Sequence, residues 1–104
     1  MFSSKAVSTV KILMSTAIDI AQKREITKIV SRLRGLPGCL SFSFTRSKDN
    51  HDLWVLNSHW ISNESMRNYF FERDLGDLFQ IFAGRCREMR FNSHFCDRGN
   101  GNVV

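Results

Sequence analysis

The chain has 104 residues, 42% of them apolar and nine of them phenylalanine, with one proline and a net charge of +5. This is a single domain able to build a core, near the size at which subunit association adds useful stability. It excludes low-complexity and repeat architectures. The apolar run Val10-Lys11-Ile12-Leu13-Met14 is interrupted by a charge and too short for a signal peptide or a membrane span, so a cytoplasmic protein without membrane attachment is expected.

Lys5 to Met14 reads as a first strand, supported by Val10 and Ile12. Thr16-Ala17-Ile18-Asp19 resembles a helix start, with the threonine oxygen accepting from an early amide and the aspartate favouring the positive helix end. Ile18, Ala21, Ile26, Ile29, Val30 and Leu33 follow at helical spacing, and Gly35 ends the helix. Leu36-Pro37-Gly38 is a loop signal. Residues 39–45 then alternate, which predicts a strand with Leu40, Phe42 and Phe44 on one side and Cys39, Ser41, Ser43 and Thr45 on the other. After the polar turn Ser47-Lys48-Asp49-Asn50, residues 52–61 form a further strand adjacent to it. This one carries Trp54, Leu56 and Trp60 on one face and Leu53, Val55 and Ile61 on the other. A strand with apolar residues on both faces needs cover on both. In so short a chain, the second cover is expected from another subunit.

Ser62 or Asn63 can cap a second helix, with Met66, Tyr69 and Phe70 as its buried stripe. Arg73-Asp74-Leu75-Gly76 interrupts it, and Leu78, Phe79, Phe82, Cys86 and Met89 resume a helical spacing, which predicts a helix in two pieces with the second starting near Asp74. A last strand, about residues 88–95, alternates Met89, Phe91, Ser93 and Phe95 against Arg90, Asn92 and His94. Residues 97–104 offer nothing to bury and read as a flexible tail, leaving 1–96 as the domain. The order β-α-β-β-α-β is the split βαβ pattern of an α+β, ferredoxin-like antiparallel sheet with helices on one face. Two uncovered apolar sheet faces pressed together would give a homodimeric α/β barrel.

The basic residues sit mainly in the first helix (Lys23, Arg24, Lys28, Arg32, Arg34) and near the C-terminus (Arg85, Arg87, Arg90, Arg98), a distribution that a solvated helix face and ordinary surface charge explain. RNA-recognition modules share this element order, but they carry exposed aromatics on the first and third strands in a basic-glycine-aromatic motif. Gly38-Cys39-Leu40-Ser41-Phe42-Ser43-Phe44 lacks the leading basic residue and falls on the second strand, which argues against nucleic acid as a partner. Cys39, Cys86 and Cys96 are odd in number and have no CxxC spacing, as expected of reduced thiols rather than disulfides or a zinc site.

Leu36-Pro37-Gly38-Cys39-Leu40-Ser41-Phe42, then Asp49-Asn50, then Trp60-Ile61-Ser62-Asn63-Glu64-Ser65-Met66 together resemble the antibiotic biosynthesis monooxygenase (ABM) domain over approximately residues 5–95. The resemblance implies a dimeric α/β barrel with a pocket in each subunit between sheet and helices. Characterised relatives include cofactor-free oxygenases of polycyclic phenols or quinols, haem-degrading enzymes and enzymes that process a signalling sugar phosphate, so family alone does not fix the reaction. Two departures narrow it. The tryptophan and iron-ligating histidine of haem-degrading members fall, counted from Trp60, on Tyr69 and Phe79, and phenylalanine cannot ligate iron. The asparagine that polyphenol oxygenases place four residues before the tryptophan is Leu56 here, while Asn57 lies one residue along on the opposite strand face.

The reading that follows is a cofactor-free, metal-free homodimer acting on a small aromatic, quinol-like or polyketide-like molecule. Trp60 and Tyr69 stand at family pocket positions with polar handles. Trp54, Phe79 and Phe82 could supply aromatic walls, but helical and strand spacing suffices to explain them as ordinary core residues, which is the favoured reading. His59 and Asn57 are the candidate polar participants, an imidazole being suited to take a proton near neutral pH. Alternation nevertheless puts both opposite Trp60, where His59 reads as a structural or interface residue, and His94 has similar status. His51 lies in a turn. The alternative is a non-catalytic, small-molecule-binding or regulatory dimer using the same pocket.

Overall fold

The computed structural model describes residues 5–96 of the chain. The expectations for the tail at 97–104 and for the side chain of His94 lie outside the described residues. In chain order the elements are β1 (Lys5–Met14), α1 (Ile20–Arg34), β2 (Cys39–Arg46), β3 (Leu53–Trp60), α2 (Asn63–Phe70), α3 (Arg73–Phe82) and β4 (Cys86–Cys96). The sheet runs β2-β3-β1-β4 with every neighbouring pair antiparallel, which is the expected ferredoxin-like arrangement with the second helix divided in two.

Alternation along β1 decides which face is covered. Ala6, Ser8, Val10, Ile12 and Met14 are at most 3% exposed, while Val7, Thr9 and Leu13 are half-buried and Lys11 is exposed. Leu56, Ser58 and Trp60 of β3 lie on the same buried side, and a single core joins these strand residues to Ile26, Ile29, Val30 and Leu33 of α1, Met66 and Tyr69 of α2, and Leu75, Leu78 and Phe82 of α3. All three helices therefore cover one face of the sheet. The opposite face carries Val7, Leu13, Leu53 and Val55 among Thr9, Asn57, His59 and Lys11.

Several local expectations are corrected. The cap of α1 is Asp19 rather than Thr16: Gln22 N donates to Asp19 Oδ1 at 2.7 Å, and Asp19 N donates to Gln22 Oε1 at 3.0 Å, a reciprocal capping box that a residue three positions upstream cannot make. Ala21 is exposed because the buried stripe of α1 begins at Ile26. On β2 the strict alternation fails at its first step. Cys39 pairs with Trp60 and Ser41 with His59, so Leu40 is the extra residue of a bulge; Cys39 packs against the core and Leu40 is 52% exposed. Phe70 stands at the edge of its stripe, 40% exposed. Helix α3 stops at Phe82, where Ala83 is extended and Gly84 takes a φ of +83°, so Cys86 and Met89 belong to β4 and not to the helix.

Three tethers fix the helices over the sheet. Arg34 at the end of α1 donates from Nε and Nη2 to the Phe42 carbonyl at 3.2 and 2.9 Å, tying the helix to edge strand β2. Arg32 Nε donates to both carboxylate oxygens of Asp74 at 3.1 Å, joining α1 to α3. Gly38, at φ +83°, brings the loop before β2 so close to the first turn of α2 that an added Cβ would sit 2.2 Å from Ser65 Oγ. Two of the basic side chains of the first helix, Arg32 and Arg34, are thus engaged within the fold.

Candidate functional site

The inner part of the covered face is aromatic and closed. Tyr69 of α2 stacks on Trp60 of β3 with ring centroids 4.7 Å apart and meets Phe42 of β2 edge-on at 5.5 Å. Trp60 Nε1 donates to Ser58 Oγ at 2.8 Å, which satisfies an indole that is wholly buried. Burial pushes the Tyr69 phenol well above the ordinary tyrosine range, and the Ser58 hydroxyl beside it offsets part of that rise. Trp60 is 0% and Tyr69 1% exposed, so the pair is a packed inner wall.

Outward from Tyr69, toward β1 and β4, the packing opens into a cleft of about 270 Å³ between the sheet and helices α2 and α3. Val10 forms its floor, Leu75 and Phe79 its helical side, and Phe70 and Phe91 its rim; Phe79 meets Phe91 edge-on at 5.5 Å. The register explains the assembly, because Val10 pairs with Phe91, and Ser93 follows two residues on along the same face. Tyr69 and Ser93 are the only polar residues in the lining.

Two other hollows differ in chemistry. One of about 380 Å³ lies behind α2, against Leu36, Pro37, Phe71 and Glu72. The other, about 270 Å³, lies on the uncovered face between Lys11, Leu13, Leu53, Glu88 and Arg90. Both contain ionisable carboxylates or cations, whereas the cleft beneath α2 and α3 contains none. It alone combines aromatic walls, cover by both sheet and helices, and freedom from fixed charge, the environment suited to a small aromatic ligand.

The structure disperses the residues singled out from sequence. Tyr69 and Phe79 meet in the cleft. Trp60 stands behind Tyr69, and Phe82, 0% exposed, packs on Phe44 at 5.5 Å within the core. Trp54 lies at the far end of the sheet, stacked on Phe44 at 4.7 Å with the Arg46 guanidinium 5.0 Å from its ring centroid. His59 and Asn57 are on the uncovered face, where Thr9 Oγ1 donates to Asn57 Oδ1 at 2.9 Å and Asn57 Nδ2 lies 3.4 Å from His59 Nε2. From there neither can reach a ligand in the cleft of the same subunit. Among the described residues, no three His, Cys, Asp or Glu side chains come together to hold a metal.

Sequence reasoning missed Val10, Phe70, Leu75, Phe91 and Ser93 as lining residues. The alternation of Phe91 and Ser93 was visible, but their meeting with Val10 depends on the β1 and β4 register, which no local pattern encodes.

The sequence profile for antibiotic biosynthesis monooxygenases matches residues 21–73, just over half of the chain. A search among curated proteins finds no match in sequence. Among solved structures, a Nitrosomonas europaea protein assigned to the antibiotic biosynthesis monooxygenases superposes with a TM-score of 0.79 at 15% identity, covering 97% of this chain and 98% of that one. SnoaB, a cofactor-independent oxygenase from Streptomyces nogalater, gives 0.72 at 10% identity, covering 95% and 98%. Protein SO0527 of Shewanella oneidensis gives 0.77 at 11%, covering 89% and 91%. At these identities the likeness is one of fold.

Proposed function

The chain belongs to the antibiotic biosynthesis monooxygenase family, and from that premise we propose that it is a cofactor-independent monooxygenase of a small quinol-like or polyketide-like aromatic compound. The observation that carries this reading is the uncharged aromatic cleft between β1, β4, α2 and α3. Such a reaction asks little of a protein. An electron-rich phenol or its keto tautomer gives up a proton, the anion passes an electron to dioxygen, and the radicals recombine. A methylene then becomes a carbonyl as one oxygen atom leaves in water. A dry aromatic cavity positions the ring and keeps the reactive anion from solvent. Tyr69 and Phe79 contact the ligand in this reading, and Trp60 holds Tyr69 in place. Likeness of fold to a cofactor-independent oxygenase supports it.

The uncovered sheet face completes the picture. Val7, Leu13, Leu53 and Val55 supply apolar surface that the chain's own helices leave open, and a second copy pairing through this face gives a homodimer. His59 and Asn57 are interface residues in this arrangement. Sedimentation at micromolar concentration should return a dimer, and Val55→Lys should return a monomer; a monomeric parent chain removes this part of the reading.

A second reading, a binding or regulatory dimer without turnover, is favoured by one feature: no ionisable group other than the Tyr69 phenol lines the cleft. Dioxygen uptake with a panel of hydroquinones and anthrones separates the two. The oxygenase reading expects uptake with at least one compound, reduced tenfold or more by Phe79→Trp, which fills the cleft from α3. Saturable binding without uptake across the panel establishes the second reading instead.

A further inference from the structure

On the helix-covered face, three serines stand side by side at one level of the sheet. Ser58 of β3 pairs with Ser8 of β1, and Ser8 pairs in turn with Ser93 of β4. Ser58 and Ser8 are 1% and 2% exposed, while Ser93 is exposed and lines the cleft. Otherwise this side of β1 and β3 consists of Ala6, Val10, Ile12, Met14, Trp54, Leu56 and Trp60. A buried hydroxyl is costly compared with alanine or valine unless it is partnered. Bonding to the Trp60 indole accounts for Ser58 but not for Ser8, which continues the line toward Ser93 and the cleft.

We propose that this row is a recognition line that selects ligands bearing a hydroxyl or carbonyl oxygen at the edge facing β4. Ser93 contacts that oxygen, and Ser8 and Ser58 act as positioning residues behind it. Directly opposed side chains in antiparallel strands have Cβ atoms about 4.5–5.5 Å apart, within reach of hydroxyl-to-hydroxyl bonding. Trp60 Nε1 can only donate, so Ser58 accepts from it, and the Ser58 hydroxyl also lies beside the Tyr69 phenol. Ser93, exposed at the cleft, presents a hydroxyl that can donate to a neutral or anionic ligand oxygen. The inference rests on the cleft assigned above and deepens it, by naming what distinguishes one flat apolar ligand from another.

The test compares two probes that differ by one hydroxyl, 1-naphthol and naphthalene, binding to the purified full chain by calorimetry or fluorescence. The parent protein should prefer 1-naphthol by about tenfold, the scale of one satisfied hydrogen bond. Ser8→Ala and Ser93→Ala should each weaken 1-naphthol about fivefold to tenfold while leaving naphthalene unchanged, and Ser93→Thr, which keeps the hydroxyl, should restore the preference. Ser93 is exposed at the rim, so Ser93→Ala decides the matter even if Ser8→Ala does not fold. Equal affinities in the parent, or variants that weaken both probes alike, overturn the proposal. Binding of neither probe removes the cleft as a site and the proposal with it. A selective preference without dioxygen uptake on any hydroquinone or anthrone leaves the recognition line standing and removes only the oxygenase reading.

Discussion

The two faces of the sheet share four strands and differ in nearly everything else. The helix-covered face is closed around Trp60, Tyr69 and Phe82, and opens beyond Tyr69 at the cleft. The other face spreads half-buried valines and leucines among Thr9, Asn57, His59 and Lys11, with Lys11 directly opposite Arg90 across the β1 and β4 pair. Like charges facing one another cost stability on an isolated sheet. The covered face thus holds the core and one uncharged aromatic cleft, and the open one leaves apolar side chains that the chain's own helices do not cover. A residue's strand position says little about its role until its face is known.

The contrast is broken most directly by truncation. Trp60→Ala should lower the unfolding free energy by about 3–5 kcal/mol in urea titrations, because it empties a fully enclosed site and strips Tyr69 of its stacking partner. A loss below about 1 kcal/mol would mean that the wall is not packed as described. Next in size is Gly38→Ala, which places a methyl group against Ser65 in a left-handed backbone conformation. A loss of roughly 1–3 kcal/mol is expected from strain at such a position, and Ser65→Gly in the same background should recover part of it.

Alkaline pH sharpens the comparison. Tyr69 is the chain's only tyrosine, so tyrosinate absorbance at 295 nm reports on it alone. The folded state holds its proton more tightly than the unfolded chain does, so this contribution is whole below the ordinary tyrosine value of about 10 and is lost as pH rises toward the folded value. Stability should therefore fall above about pH 10, by up to ~1.4 kcal/mol per pH unit from this residue, and tyrosinate should appear together with unfolding. Burial pushes the Cys39 thiol up as well, adding a fall of the same sign that Tyr69→Phe leaves in place. Tyrosinate forming near pH 10 in the folded protein would refute the burial of the phenol.

Smaller effects lie further from the core. Asp19→Ala removes one half of a capping box and should cost about 1 kcal/mol in thermal or urea unfolding. His59→Ala, on the exposed part of the open face, should stay within about 0.5 kcal/mol in the dilute monomer. A larger loss that grows with protein concentration would show His59 buried between subunits, turning the smallest effect into a measure of the dimer.

Much of the fold was legible because short-range chemistry and tertiary need agreed. The limits of β1 match their expected residues, and β3 and the division between α2 and α3 fall within one residue of theirs. In each of these, alternation, a capping serine or a polar break points the same way as burial. Legibility failed where one extra residue or one competing period intervened. The bulge at Leu40 exchanged the faces of Cys39 and Leu40, and the spacing from Leu78 through Met89 continued a helical rhythm across a turn that Ala83 and Gly84 impose.

The sequence by itself determined the element order and the ferredoxin-like class, because hydrophobic period and turn chemistry are written in neighbouring residues, and its motifs carried the resemblance to the family that the profile match then showed. It also placed His59 and Asn57 opposite Trp60, since strand faces follow from counting by two. Only the tertiary structure decided that Trp60 is wall rather than lining, that Phe91 closes a cleft over Val10, and that three serines from distant parts of the chain stand in one row. Those facts depend on strand register and on where the helices come to rest over the sheet, which are set by packing across the whole chain.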